Sequence, residues 1–126
     1  MTRINVVPVE ELTTKHLVAE YRENPRVFAL AHKACTIRTK WYNRQPQEYT
    51  LGTGHVLFFY NRLKYIADRQ KQIVAEMLKR GYNPQYQECL EQQWSDKFPD
   101  NYWNNYVPTE HALQINRERI KQRLGG

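Results

Sequence analysis

Gly54-His55-Val56-Leu57-Phe58-Phe59-Tyr60 opens, and Arg80-Gly81-Tyr82-Asn83-Pro84 closes, the stretch whose reading decides the fold. Between them Phe59, Leu63, Ile66, Ile73 and Met77 recur at the i, i+4, i+7 spacing of one helical face, with one longer gap. This spacing predicts a helix from Gly54 to Arg80, the longest of the chain and the central one. Its end carries three separate signals. Lys79 and Arg80 make a basic last turn, Gly81 can take the left-handed cap, and Pro84 blocks continuation.

Working toward the N-terminus, Pro8 followed by Val9-Glu10-Glu11 reads as a helix start, because proline suits the first helical turn and carboxylates there oppose its positive end. A helix is expected from about Pro8 to Glu23; Pro25 disfavours helical geometry at Asn24, so a bend is expected there, with Arg26-Val27-Phe28-Ala29-Leu30-Ala31 able to continue as a kinked or separate helix. Ala34 to Thr50 holds Arg38, Lys40 and Arg44 with no carboxylate before Glu48, and reads as a basic loop. Toward the C-terminus, the rings from Tyr82 to Tyr106 follow no sustained period. They either wrap the helices and bury themselves or form a base-stacking surface. Thr109 caps a last helix with Leu113, Asn116, Ile120 and Leu124 on one face and Arg117, Arg119, Lys121 and Arg123 at its far end. The expected fold is all-α: a compact single domain, residues 1–126, of three main helices with irregular connecting segments.

Composition narrows the partners. The 126 residues carry 19 Lys and Arg against 13 Asp and Glu, a net charge of +6, with a pI of 9.4 and a mean hydropathy of −0.85. Such a surface attracts polyanions, nucleic acid or an anionic membrane first and an acidic protein after them. No apolar run approaches the roughly 18 residues of a membrane helix, and Met1-Thr2-Arg3-Ile4-Asn5 lacks the apolar block of a signal peptide. Cys35 and Cys89 stand alone, which fits reduced thiols in the cytoplasm. The four histidines have no metal-ligand spacing, and Gly52-Thr53-Gly54-His55 lacks the Lys-Ser/Thr of a phosphate loop, so neither metal nor cofactor is expected.

Two places could carry chemistry. In Glu20-Tyr21-Arg22-Glu23-Asn24-Pro25-Arg26, Arg22 and Arg26 stand four apart beside carboxylates. This is either a phosphate clamp with a built-in acid or base, or a solvated helix end with weak surface pairs. Thr2 is small enough for aminopeptidase to remove Met1, leaving an α-amino group whose ordinary pKa of about 7.7–8.0 makes it a better nucleophile at neutral pH than a lysine. Many chains begin Met-Thr without using it.

The order of several motifs gives a stronger signal. Thr2-Arg3-Ile4-Asn5, His16-Leu17, Ala19-Glu20-Tyr21-Arg22-Glu23, Pro25-Arg26-Val27-Phe28, the Gly54–Tyr60 and Leu78–Asn83 stretches, Tyr106, Pro108 and Ile115–Ile120 resemble, in sequence order, the pyrimidine-dimer DNA glycosylase/AP lyase family of the phage endonuclease V type. The resemblance implies an all-α DNA-repair enzyme that excises UV-induced pyrimidine dimers and cleaves the strand at the abasic site. It implies that the Thr2 amine attacks the sugar to form a Schiff base and that Glu23 supports this step and the β-elimination. Arg3, Arg22 and Arg26 would hold DNA near the site, with His16 beside it, and Arg119 and Arg123 would contact the phosphate backbone. The expected partner is double-stranded DNA with UV photoproducts or abasic sites, kinked and with a base flipped out, bound by a monomer. Residues 34–50 and 85–102 match the family poorly, and the sequence ends at Gly126, before the aromatic and basic tail of the phage member. A glycosylase/AP lyase for another lesion and a non-catalytic basic DNA-binding module are the rival readings; a pure binder has no reason to combine Thr2 with Glu23.

Overall fold

A computed structural model describes residues 4–37, 40–87 and 89–125, with side chains through Arg123. Its α-helices are α1 (Thr14–Thr36), α2 (Leu63–Lys79), α3 (Leu90–Trp94) and α4 (Glu110–Gly125). Among the described residues no strand forms; an isolated antiparallel bridge pairs Arg62 with Trp103. The all-α class is as the sequence predicts, and three of the four helices are long.

Several boundaries differ from the sequence reading, each for a physical reason. The first helix begins at Thr14 rather than Pro8, because Val9–Glu11 forms only a 3-10 turn and Leu12 is extended. Thr13 is the true cap, its Oγ1 accepting the His16 amide at 3.3 Å. Nor does the helix break at Pro25. Proline has no N–H to give the carbonyl four residues back, Tyr21 O, and Gln70 Nε2 of α2 supplies that carbonyl with a donor at 3.1 Å. With its missing bond replaced from outside, α1 continues to Thr36. The central helix starts at Leu63, since residues 51–60 are turns and the 3-10 segment Leu57–Phe59. The expected basic loop opens with the last turn of α1 and contains a 3-10 turn at Trp41–Asn43 that buries Trp41; Arg38 lies outside the described residues.

Locally determined ends came out as read. At the end of α2 the Tyr82 amide donates to Met77 O (2.9 Å) and the Gly81 amide to Leu78 O (3.1 Å), with Gly81 at φ 90°. That is a Schellman cap built on the only residue type that takes this φ without strain. Thr109 Oγ1 accepts the Ala112 amide at 3.0 Å. Leu124, the last position of the predicted α4 stripe, lies outside the described side chains. The rings between Tyr82 and Tyr106 divide: Trp94, Phe98, Trp103 and Tyr106 pack on the core, while Tyr82 and Tyr86 are exposed.

The interior is two apolar clusters with a polar layer between them. Ile4 and Val6, Val27 and Phe28 of α1, Leu63 and Ile66 of α2, and Ala112 of α4 belong to one cluster. Val7 and Val9, Leu17 and Tyr21 of α1, and Ile73 and Met77 of α2 belong to the other. At the changeover sit Asn5, Glu20, Asn24, Arg69, Gln70 and Asn116, all buried. Arg69 Nε bonds Glu20 Oε2, and Arg69 Nη2 bonds Glu20 Oε1 at 3.2 Å, a bidentate pair with both partners almost fully enclosed. Burial works against the Arg69 charge, but the adjacent Glu20 carboxylate outweighs it and holds the guanidinium pKa above its ordinary value. Removing one partner leaves an uncompensated buried ion. Arg69→Met is therefore expected to lower the unfolding free energy by about 3–5 kcal/mol in urea titrations. The double change Glu20→Gln/Arg69→Met should cost less than the sum of the singles, and additive losses would remove the pair as the reason.

Candidate active site around the buried N-terminal segment

Ile4–Val7 runs through the interior without a neighbouring strand, so its backbone groups need side-chain partners. The Ile4 amide donates to His55 Nε2 at 3.1 Å, and Ile4 O accepts from Tyr49 Oη at 2.9 Å. The Asn5 amide donates to Glu20 Oε1 at 3.1 Å. The Val6 and Val7 amides share Asn116 Oδ1, at 2.7 and 3.2 Å, while Asn116 Nδ2 donates to Asn5 Oδ1 at 2.8 Å. Val7 O accepts from Arg69 Nη1 at 2.7 Å. Six backbone groups over four residues are thus fixed from α1, α2, α4 and the loop before α2. Thr2 and Arg3 lie outside the described residues.

The polar partners are held in the protonation states this task requires. Burial pushes the Tyr49 hydroxyl well above its ordinary range, so it remains the donor to Ile4 O. His55 Nδ1 lies 2.8 Å from Thr50 O, a carbonyl that only accepts; Nδ1 therefore carries the proton and Nε2 is bare for the Ile4 amide. Burial lowers the His55 pKa, opposed by the Thr50 bond and assisted by the Arg119 charge.

Along α1, His16, Glu20 and Glu23 fall at i, i+4 and i+7 and form one stripe on the side of the held segment. Glu23 is mostly covered, with a side-chain exposure of 12%, and one of its oxygens lies 3.8 Å from Arg26 Nη1. Arg26 extends into solvent at 67%. His16 Nδ1 is 2.8 Å from Thr13 Oγ1. Its pKa is lowered by burial first and then by the charges of Lys15 and Arg123. Arg119, felt by His55, and Arg123, felt by His16, follow Asn116 along α4 at i+3 and i+7, on the side that faces the held segment. Arg117 is turned away and pairs with Glu11 at 3.0 Å.

Arg22 does not join this group. Neighbouring helical residues point roughly 100° apart, and Arg22 lines a cavity of about 680 Å³ on the other flank of α1, with Tyr21, Pro25, Gln70, Tyr86 and Leu90 among its walls. Among the predicted site residues, then, His16 and Glu23 share a side of α1, Arg26 lies beside Glu23, Arg119 and Arg123 follow Asn116 along α4, Arg22 lines the cavity on the other flank of α1, and Thr2 and Arg3 lie outside the described residues. Sequence reasoning missed Glu20, Tyr49, His55, Arg69 and Asn116 as the residues that hold the chain start.

A family model described as pyrimidine dimer DNA glycosylase matches residues 1–88. The chain belongs to that family. The match takes in the N-terminal segment, all of α1 and α2, and the loop carrying Tyr49 and His55. Membership assigns a DNA-repair glycosylase role and binding of damaged DNA. Helix α4 lies beyond the matched span, so its part in the site rests on its contacts with residues inside it. None of the described helices is long and apolar enough to cross a membrane.

The histidines set a pH dependence of stability. Both His16 and His55 have folded-state pKa values below the ordinary 6.5, so below that pH the unfolded chain binds more protons than the folded one. Their contribution is whole above 6.5 and is lost as pH falls through the folded values. The urea midpoint should fall between about pH 7 and about pH 5, and His55→Gln, which cannot titrate, should make that fall shallower. An unchanged pH slope in this variant would show that His55 takes up protons equally in the folded and unfolded states.

Proposed function

We propose that this glycosylase excises UV-induced pyrimidine dimers and cleaves the resulting abasic site, using the N-terminal amine of Thr2 as nucleophile after Met1 is removed. The observation that carries this reading is the set of six hydrogen bonds that draws Ile4–Val7 into the core, beside a largely enclosed carboxylate and a basic helix face.

In this mechanism the neutral amine attacks the anomeric carbon of the damaged nucleotide, the C–N bond to the base breaks, and loss of the ring oxygen bond leaves a protonated imine. The imine draws electrons from the adjacent carbon, so its C–H becomes acidic enough for a carboxylate to remove. Glu23 takes that proton, and the electron pair expels the 3′ phosphate. Arg26, whose Nη1 lies 3.8 Å from a Glu23 oxygen, can hold a flanking phosphate. Arg3 serves the same phosphates, with His16 at the edge of the site. Arg119 and Arg123 bind the backbone along α4.

Arg22 has a separate role in this account. Its cavity, walled by Tyr21, Pro25 and Tyr86, offers aromatic and apolar surface with one guanidinium, which suits a nucleobase turned out of the duplex. The protein works as a monomer on cytoplasmic DNA.

The direct test is borohydride trapping on abasic-site DNA. Protein retaining Met1, or carrying one added N-terminal residue, should keep its fold and lose most of the trapped adduct, because the Thr2 nitrogen becomes an amide and any new amine is displaced by up to about 3.8 Å. Full trapping by the extended protein would refute the nucleophile. Glu23→Gln should bind abasic DNA like the parent and lose strand cleavage; cleavage at the parent rate would free Glu23 from this role. Arg119→Ala/Arg123→Ala should reduce the slope of log affinity against log salt by up to about 0.9 for each lost phosphate contact. A slope equal to the parent's would place the DNA surface elsewhere.

A further inference from the structure

The Gly52-Thr53-Gly54-His55 turn has no part in the chemistry above, yet its geometry is demanding. Gly52 and Gly54 have φ of 82° and 84°, and a Cβ on Gly54 would lie 2.8 Å from Pro46 Cγ. Side chains at either position would strain the backbone, and at Gly54 would also clash. The His55 amide closes the turn on Gly52 O at 3.0 Å. What the turn delivers is a single imidazole, 2% exposed, with the Tyr49 and Phe59 rings 5.4 and 6.0 Å from it edge to face.

That ring meets the backbone closest to the proposed nucleophile. Asn5, Val6 and Val7 are held from the long helices, but both backbone groups of Ile4 are held from this loop, the amide by His55 and the carbonyl by Tyr49. Only Arg3 separates Ile4 from Thr2. The bond to the Ile4 amide needs a lone pair on Nε2, and the Thr50 carbonyl at Nδ1 selects the tautomer that has one.

We propose that His55 is a positioning residue for the N-terminal amine, its Nδ1-protonated imidazole fixing the Ile4 amide and thereby the approach of Thr2 to the sugar. This rests on the reading of Thr2 as nucleophile. It gives the two-glycine turn a purpose in the reaction as well as in the fold. Displacements of about 1 Å at a reacting group can slow a reaction by about 100-fold, so losing this restraint acts on the rate of imine formation more than on DNA affinity.

The test compares His55→Phe, which fills the space without an acceptor, with His55→Gln, whose Oε1 can still accept from Ile4. Each is measured by single-turnover borohydride trapping at saturating protein, by its Kd for DNA with a tetrahydrofuran abasic analogue, and below its own melting temperature. The expected result is trapping slowed roughly 10- to 100-fold in His55→Phe with Kd within about threefold of the parent, and most of the rate regained in His55→Gln. Trapping by folded His55→Phe at the parent rate, a loss residing in Kd, or an equal loss in both variants would overturn the proposal. If His55→Phe does not fold, Tyr49→Phe removes only the bond to Ile4 O and should slow trapping in the same direction; an unchanged rate overturns the proposal. An N-terminally extended parent separates the two levels: full trapping there refutes Thr2 itself, whereas an inactive extension with fast His55→Phe refutes only the positioning.

Discussion

The Glu20–Arg69 pair is the interaction on which the rest of this structure depends. Two ions in an interior are costly unless every remaining lone pair and proton is used, and here they are widely used. Glu20 accepts from Arg69, from the Asn5 amide and side chain, and from Asn24, while Arg69 also donates to Val7 O. The pair joins α1 to α2 and leaves both with groups aimed at the chain start. Gln70 extends the layer by one residue, replacing the hydrogen bond that Pro25 cannot make and keeping α1 whole past the site. A hydrophobic pair of the same volume could join the helices, but it could not hold a bare backbone segment.

That arrangement suits a reaction whose nucleophile is the end of the chain. A terminal amine has a lower ordinary pKa than lysine and no long side chain to order, but it is only as well placed as the backbone that carries it. The usual means of fixing a backbone, a neighbouring strand, would cover the segment on one edge. Side-chain partners from α1, α2, α4 and the loop before α2 fix Ile4–Val7 instead. Asn116 connects this to the basic helix: the same side chain that holds the Val6 and Val7 amides sits one turn before Arg119. In the proposed mechanism the held segment and the basic face of α4 are thereby joined through one side chain.

Much of the fold was legible because its signals are local. Gly81 after Arg80 and Thr109 before Glu110 terminate helices through bonds within a few residues, and both were readable. Pro8 and Pro25 misled for the opposite reason. Pro25 is tolerated because of Gln70, and Ile4–Val7 has its backbone groups taken by distant side chains, so that only a 3-10 turn forms after Pro8. The Val6 amide finds its acceptor 110 positions away. The longer gap in the α2 pattern between Ile66 and Ile73 was itself a trace of the polar layer, since Arg69 and Gln70 occupy it. Asn116 stood in the apolar stripe of α4 for the same reason. The role expected of Glu23 came from the ordered resemblance to a family, because neither periodicity nor charge distinguishes it from any other helix carboxylate, whereas Thr2 was marked as well by the chemistry of a Met-Thr start.

The most direct measurement is the mass of the peptide that carries the reduced adduct. After borohydride trapping on abasic-site DNA and digestion of both protein and DNA, the account predicts a peptide beginning at Thr2, with the sugar remnant on its α-nitrogen. An adduct on a lysine side chain, or full trapping by protein that still begins with Met1, would contradict it.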